Sequence, residues 1–129
     1  MIAGTGVDLC EVDRIRKAME SGYGRRFRER VYTEREIAYA EGKANRWERY
    51  AARFAAKEAG MKALGTGWRG GLSWRDLEVV NLPSGRPTLR LHGKAAEIAA
   101  RMGVARVSLS LTHTAEQAMA LVILESGTS

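Results

Sequence analysis

Glu58 stands where a helix should carry an apolar residue. The segment Arg53-Phe-Ala-Ala-Lys-Glu-Ala-Gly-Met-Lys-Ala-Leu-Gly-Thr-Gly67 reads as the end of a helix. At about 100° per residue, Trp47, Ala51, Phe54 and Met61 share one stripe, and Glu58 falls within about 60° of each. A carboxylate on an inward stripe is costly unless a cation or hydrogen-bond donors meet it. Lys62 lies one turn on and Lys57 flanks the same stripe. A glutamate facing inward beside lysines can hold a metal ion against a phosphorylated ligand. Taken alone, Lys-Glu-x-x-x-Lys is an ordinary surface pair contributing ~0.2–0.5 kcal/mol, so the apolar company of Glu58 is what singles it out.

Two more segments offer functional groups. Asp8 follows Gly4 and Gly6 on one strand face, at the end of a strand, with its carboxylate free to meet another element. Asp8 and Glu58 are hard oxygen donors. Mg²⁺ typically takes one or two carboxylates and completes its shell with phosphate oxygens and water. Thiolate and multi-histidine sets are missing, which argues against zinc. Two acids beside lysines point to phosphoryl-type transfer, where metal and cations spread the growing charge. In Val107-Ser-Leu-Ser-Leu-Thr-His-Thr114, His113 continues the inward parity of a strand, a place where a lone histidine is more often structural. Gly65-Thr66-Gly67 by itself is a helix stop; it lacks the Gly-Lys-Ser/Thr of a phosphate-binding loop. Cys10 has no histidine nearby in sequence and reads as a small core residue.

The elements that must position these groups follow from periodicity and punctuation. Ile2–Leu9 is a strand; a helix from about Glu11 buries Val12, Ile15 and Met19, and Gly22 and Gly24 interrupt it. Thr33 and Glu36 match a capping box, so a helix starts near Glu34. Asn45 with Glu48 marks the start of the long helix that ends near Leu64, with Gly65 as its stop. Gly60 inside that helix costs ~1 kcal/mol relative to alanine and has no explanation in the sequence. Leu77–Leu82 and Thr88–Leu91 are strands, Lys94–Met102 a short helix, and 107–112 and Ala118–Leu124 strands joined through 114–117. This order predicts an α+β fold, helices packed on one side of an antiparallel sheet, as one domain over residues 1–129.

The chain carries 21 Lys and Arg against 15 Asp and Glu, a formal charge of +6. An anionic partner is expected: nucleic acid, a phosphorylated cofactor or an acidic protein. Between Arg14 and Arg30 there are seven basic residues and two acidic ones, a density that reads as a docking surface. A basic RNA-binding module is the competing reading, but the aromatics are few and do not interleave with the basic run. A single cysteine fits a reducing cytoplasm, and neither a secretory signal nor a membrane-length apolar run is present.

Together the three segments resemble the holo-acyl-carrier-protein synthases, the short class of 4′-phosphopantetheinyl transferases. The family pattern Gly-x-Gly-x-Asp-x-x-Glu-x-x-Arg-Ile stands at Gly4–Ile15. Phe-Ala-x-Lys-Glu-Ala-x-x-Lys-Ala-x-Gly-Thr-Gly stands at Phe54–Gly67, and Ser-x-Ser/Thr-His at Ser110–His113. Cys10, where an aliphatic residue is usual, and Gly60 depart from the pattern without touching a proposed ligand. The resemblance implies transfer of the phosphopantetheine arm of coenzyme A to a serine of apo acyl carrier protein, releasing adenosine 3′,5′-bisphosphate, in fatty acid or polyketide synthesis. It implies that Asp8 and Glu58 would hold Mg²⁺ against the pyrophosphate, and that Glu58, directly or through a metal-bound water, would take the serine proton. Lys62 would stabilise or protonate the leaving phosphate. Arg53, Gly65, Thr66, Gly67, Arg86 and His113 would meet the nucleotide end. The basic face of Arg14, Lys17, Arg25 and Arg26 would receive the acidic carrier. It also implies a homotrimer with active sites at subunit boundaries. One such unit fits in 129 residues, whether it stands alone or comes from a larger synthase.

Overall fold

A computed structural model of the chain describes residues 1–65 and 71–127. The element order is β1 (Ile2–Glu11), α1 (Val12–Glu20), α2 (Gly24–Val31), α3 (Glu34–Glu41) and α4 (Arg46–Leu64). A one-turn 3₁₀ helix (Trp74–Asp76), β2 (Leu77–Asn81), β3 (Pro87–Leu91), α5 (Gly93–Arg101), β4 (Val104–His113) and β5 (Gln117–Ser126) follow. Every strand pairing is antiparallel: β1-β5-β4 form a three-stranded sheet and β2-β3 a separate hairpin. The α+β reading holds, with the strands divided between two sheets. Among the described residues no helix is long and apolar enough to cross a membrane.

The centre of the fold is α4 lying on the inner face of the larger sheet. That contact is made of small residues. A Cβ on Gly4 would sit 2.1 Å from the Ala63 carbonyl oxygen, and one on Gly6 1.9 Å from that of Ala59. Backbone oxygens cannot step aside as side-chain ends can, so only glycine permits this approach. Ala118 and Ala120 extend the small-residue floor across β5, and Ala55, Ala56, Ala59 and Ala63 are the buried helical counterpart. Gly60 makes room on the opposite flank, against side-chain ends rather than backbone. A Cβ there would lie 2.6 Å from Leu77 Cδ2 and 2.8 Å from Leu89 Cδ2, so the missing side chain seats α4 against the β2-β3 hairpin.

The expected helix boundaries are met closely. Thr33 and Glu36 form the reciprocal capping box of α3. Gly65 ends α4 with φ of 78°, its N–H donating to the Met61 and Lys62 carbonyls. Val12, Ile15 and Met19 are the buried side of α1. One helix, α2, lies where the sequence reading saw only glycine breaks and a basic run. Its anchors are Phe27, packed on Phe54 and Tyr32, and Val31, one turn later.

A polar network crosses the interface of α3, α4 and the hairpin. The Lys57 ammonium, fully buried, meets Glu36 Oε1 at 2.7 Å and donates to the Leu77 and Trp74 carbonyls. Glu36 also accepts from the Thr33 and Val79 amides, so the pair is hydrogen-bonded on all sides. Thr33 Oγ1 passes the network to Glu78, and Glu78 to His92 at 3.0 Å. Burial pushes the Glu78 carboxyl up, but hydrogen bonds from Thr33 and His92 and the charge of Arg35 outweigh it and leave it below the ordinary 4.5. A carboxyl depressed in the folded state adds stability above its unfolded pKa, and that stability is lost as pH falls through the folded value. Glu78→Gln is therefore expected to cost about 1–2 kcal/mol near neutrality. It should also flatten the loss of stability below about pH 4.5, read by urea unfolding across the acid range.

Candidate active site

Asp8 lies on β1 in the row Asp8–Ala120–Leu111, on the sheet face that carries α4. It is three residues short of the strand end, because β1 continues through Glu11. Gly4 and Gly6 bring the strand onto the helix backbone, so the next inward side chain on β1 meets the last turns of α4. There the Lys62 ammonium donates to Asp8 Oδ1 at 2.9 Å and to the Val7 carbonyl at 3.1 Å. Lys62 thus reaches across to the strand rather than pairing with Glu58 along its own helix. With its side chain 54% exposed, Lys62 keeps an open path to a ligand.

Glu58 is half-buried beside them. Burial raises its carboxyl above the ordinary 4.5 and the Asp8 charge raises it further, while Lys62 and Arg14 pull it back. It makes no hydrogen bond or ion pair among the described residues. The two acids repel one another, and the Lys62 and Arg14 charges oppose that repulsion. Arg14 completes the group from α1, its guanidinium 5.8 Å from the centre of the Phe54 ring. Among the described residues there is no cluster of three or more His, Cys, Asp or Glu able to hold a metal, so any cation here rests on two carboxylates and its ligand.

The other expected site residues are distributed around this centre. His113 occupies the row Cys10–Ala118–His113, one row along the same inner face, with Nδ1 2.8 Å from Glu48 Oε1. That contact leaves its Nε2 as the free edge. Gly65 sits just beyond Lys62; Thr66 and Gly67 lie outside the described residues. Arg86 is in the β2-β3 turn, in a cleft with Ser110 and Leu121 that includes none of Asp8, Glu58 and Lys62. Arg53 departs from its expected place. Its guanidinium is buried, 3.9 Å from the centre of the Tyr39 ring, with Nε lacking a hydrogen-bond partner among the described residues. Covered in this way, it meets a nucleotide only if Tyr39 turns aside. Lys57 is absent from the site altogether, being committed to Glu36. Cys10 is buried and its thiol pushed up to about 11 by burial, which keeps it unreactive.

Of the expected docking residues, Lys17 pairs with Asp13 at 3.1 Å and Arg25 with Glu29 at 3.1 Å. Arg14 and Arg26 are exposed and have no ion pair among the described residues. Glu48, the partner of His113, and Tyr39, the cover of Arg53, were not singled out from the sequence. An acid in the first turn of α4 is equally well explained by the helix dipole, so no signal distinguished it.

The family model of the 4′-phosphopantetheinyl transferase superfamily matches residues 4–122. The chain belongs to this superfamily. A holo-[acyl-carrier-protein] synthase of Solibacter usitatus is 64% identical over 98% of this chain and 100% of its own. Among solved structures, the holo-[acyl-carrier-protein] synthase of Neisseria meningitidis superposes with a TM-score of 0.87 at 32% identity, covering 98% of this chain and 100% of that one. The Bacillus anthracis holo-(acyl-carrier-protein) synthase in complex with CoA (3′,5′-ADP) gives 0.79 at 39% identity, over 98% and 99%. In this transferase the glycine-bearing strand and the Lys-Glu-Ala helix of the superfamily meet at Asp8, Glu58 and Lys62.

Proposed function

We propose that the chain is one phosphopantetheinyl transferase unit over residues 1–129. It moves the phosphopantetheine arm of coenzyme A onto a serine of apo acyl carrier protein and releases adenosine 3′,5′-bisphosphate. The observation that carries this reading is the meeting of Asp8, from one end of the chain, with Glu58 and Lys62 of α4. The named activity of the 64%-identical relative supports it. A cytoplasmic role in fatty acid or polyketide synthesis follows from the same reading.

The residues fit a magnesium ion. Asp8 and Glu58 supply hard oxygens, burial and then the Asp8 charge raise the Glu58 carboxyl, and Glu58 has no hydrogen-bond or ion-pair partner among the described residues. Magnesium, when bound, neutralises the pyrophosphate and the charge that grows on it during transfer. Glu58 accepts the proton of the serine hydroxyl as the Oγ–phosphorus bond forms. As the pyrophosphate P–O bond breaks, Lys62, exposed and among the described residues tethered only to Asp8 and the Val7 carbonyl, donates to the leaving phosphate oxygen. The Gly65-Thr66-Gly67 segment and the free edge of His113 meet the nucleotide end. Arg53 joins them when Tyr39 moves.

A homotrimer with sites at subunit boundaries is supported by the outer face of the larger sheet. Val7 faces Leu121 and Leu9 faces Met119 across β1 and β5, and all four are at least 41% exposed. Apolar cross-strand pairs left open to water mark an association surface. Arg86 borders that face, and in such a trimer it would meet a neighbouring subunit's nucleotide rather than its own.

Incubating the protein with coenzyme A, Mg²⁺ and an apo carrier should add one phosphopantetheine to the carrier by mass spectrometry. An unmodified carrier under conditions where a known transferase modifies it would refute the reading. Arg14 lies between the basic face and Glu58 and is assigned to carrier docking. Arg14→Glu is expected to raise the carrier KM about tenfold and the coenzyme A KM less than about twofold. Equal losses would remove it from docking.

A further inference from the structure

Arg53 is a buried cation with no counter-charge of its own. It is 3% exposed, its Nε has no hydrogen-bond partner, and it makes no ion pair among the described residues. The acids of α3 on either side of Tyr39 are already committed, Glu36 to Lys57 and Glu41 to Arg28 and Arg46. Two more cations gather at the same tyrosine. Lys43 Nζ lies 5.1 Å from the centre of the Tyr39 ring and the Arg49 guanidinium 6.0 Å, against 3.9 Å for Arg53. Neither Lys43 nor Arg49 has an ion pair among the described residues. An interior guanidinium donor left open is uncommon, and the acceptor that satisfies it best is an anion with several oxygens, such as a phosphate.

One side chain keeps that anion out. The Tyr39 ring lies on the Arg53 guanidinium, and its hydroxyl accepts from Arg49 Nη1 at 3.3 Å. Arg49 is fixed in turn, its Nε donating to Asn45 Oδ1 at 3.1 Å. Burial pushes the Tyr39 hydroxyl up, but the charges of Arg53 and Arg49 and a hydrogen bond from Asn81 outweigh it and leave it below the ordinary 10.0. Three cations therefore surround a half-buried phenol that brings them no negative charge at neutral pH. Asn81 ends β2, where the turn that carries Arg86 begins.

We propose that Tyr39 is a latch on Arg53, holding the guanidinium covered in the free chain until the nucleotide end of coenzyme A displaces it and enters a pocket shared by Arg53, Arg49 and Lys43. The inference rests on the coenzyme A reading above and names the residue that limits access to it. Tyr39 is a positioning residue, because it acts through Arg53. Binding to a form that is open in only a fraction of the molecules is weakened by that fraction. A desolvated cation–π contact and one hydrogen bond from Arg49 are what keep the open fraction small.

The test is calorimetric titration of coenzyme A into wild type, Tyr39→Ala, Arg53→Met and the double variant. Tyr39→Ala should bind at least about fivefold more tightly than wild type, because no opening step remains. In the Arg53→Met background the same substitution should change the affinity less than about twofold, since no guanidinium is left to uncover. Tyr39→Phe keeps the ring and loses the bond from Arg49, so it should bind about twofold more tightly. Where Tyr39→Ala does not fold, Tyr39→Phe decides: tighter binding upholds the latch and equal or weaker binding overturns it. Unchanged or weaker binding by a folded Tyr39→Ala, or the same gain without Arg53, also overturns it and leaves the ring contact purely structural. Binding needs no transfer, so an unmodified carrier beside this pattern of affinities sinks the transferase reading alone. If neither wild type nor Tyr39→Ala binds coenzyme A, the latch is overturned whatever the carrier shows.

Discussion

Glu58→Gln should lose transfer activity by about 10³-fold or more in kcat/KM while its metal-free form melts about 1–3 °C higher than wild type. The two effects share one cause. Burial and the Asp8 charge raise the Glu58 carboxyl, with Lys62 and Arg14 compensating only in part. A carboxyl whose folded pKa lies above its unfolded value binds its proton more tightly when folded. Stability then falls as pH rises between the two values, and the cost is fully present above the folded one. Glutamine keeps the shape and removes the charge, so it relieves that cost and also removes the proposed proton acceptor. The comparison of melting temperatures at neutral pH is decisive here. A variant that loses activity and melts lower would point to a structural role for Glu58 instead.

The largest expected loss of stability comes from a residue outside the site. Lys57→Met leaves Glu36 buried and ionised without its counter-charge, at an expected cost of about 3–5 kcal/mol. Against a typical total of about 5–15 kcal/mol, such a variant is close to unfolding. Lys57→Met with Glu36→Gln removes the stranded charge, and the glutamine oxygen still accepts from one of the Thr33 and Val79 amides while the other loses its acceptor. The double variant should recover at least about half of the loss, measured as a double-mutant cycle in urea. Additive losses would mean that the two residues act independently and that the ion pair contributes little.

Much of this was legible in the sequence, for identifiable reasons. Thr33 with Glu36, Gly65 after Leu64 and the alternation around Val107 are local signals, and local signals survive folding. Glu58 was found because a charge broke an apolar stripe. Its neighbourhood was misread in part for the same reason. An alanine-rich helix buried on nearly every side has no single inward stripe, so Lys57 appeared to flank the site when it is locked on the opposite flank. The α2 helix was hidden because five arginines and glutamates in eight residues leave only Phe27 and Val31 to carry its period. Glu48 read only as the start signal of α4. Its contact with His113 depends on which strand ends near that helix, and it is non-local.

Asp8 and Glu58 are proposed to grip one divalent ion against coenzyme A. Calorimetric titration of Mg²⁺ into protein saturated with coenzyme A tests it most directly, comparing wild type with Asp8→Asn and Glu58→Gln. One ion per chain is expected for wild type, with binding weakened about 10-fold or more in each variant. Wild-type affinity for Mg²⁺ in both variants would contradict the two-carboxylate site.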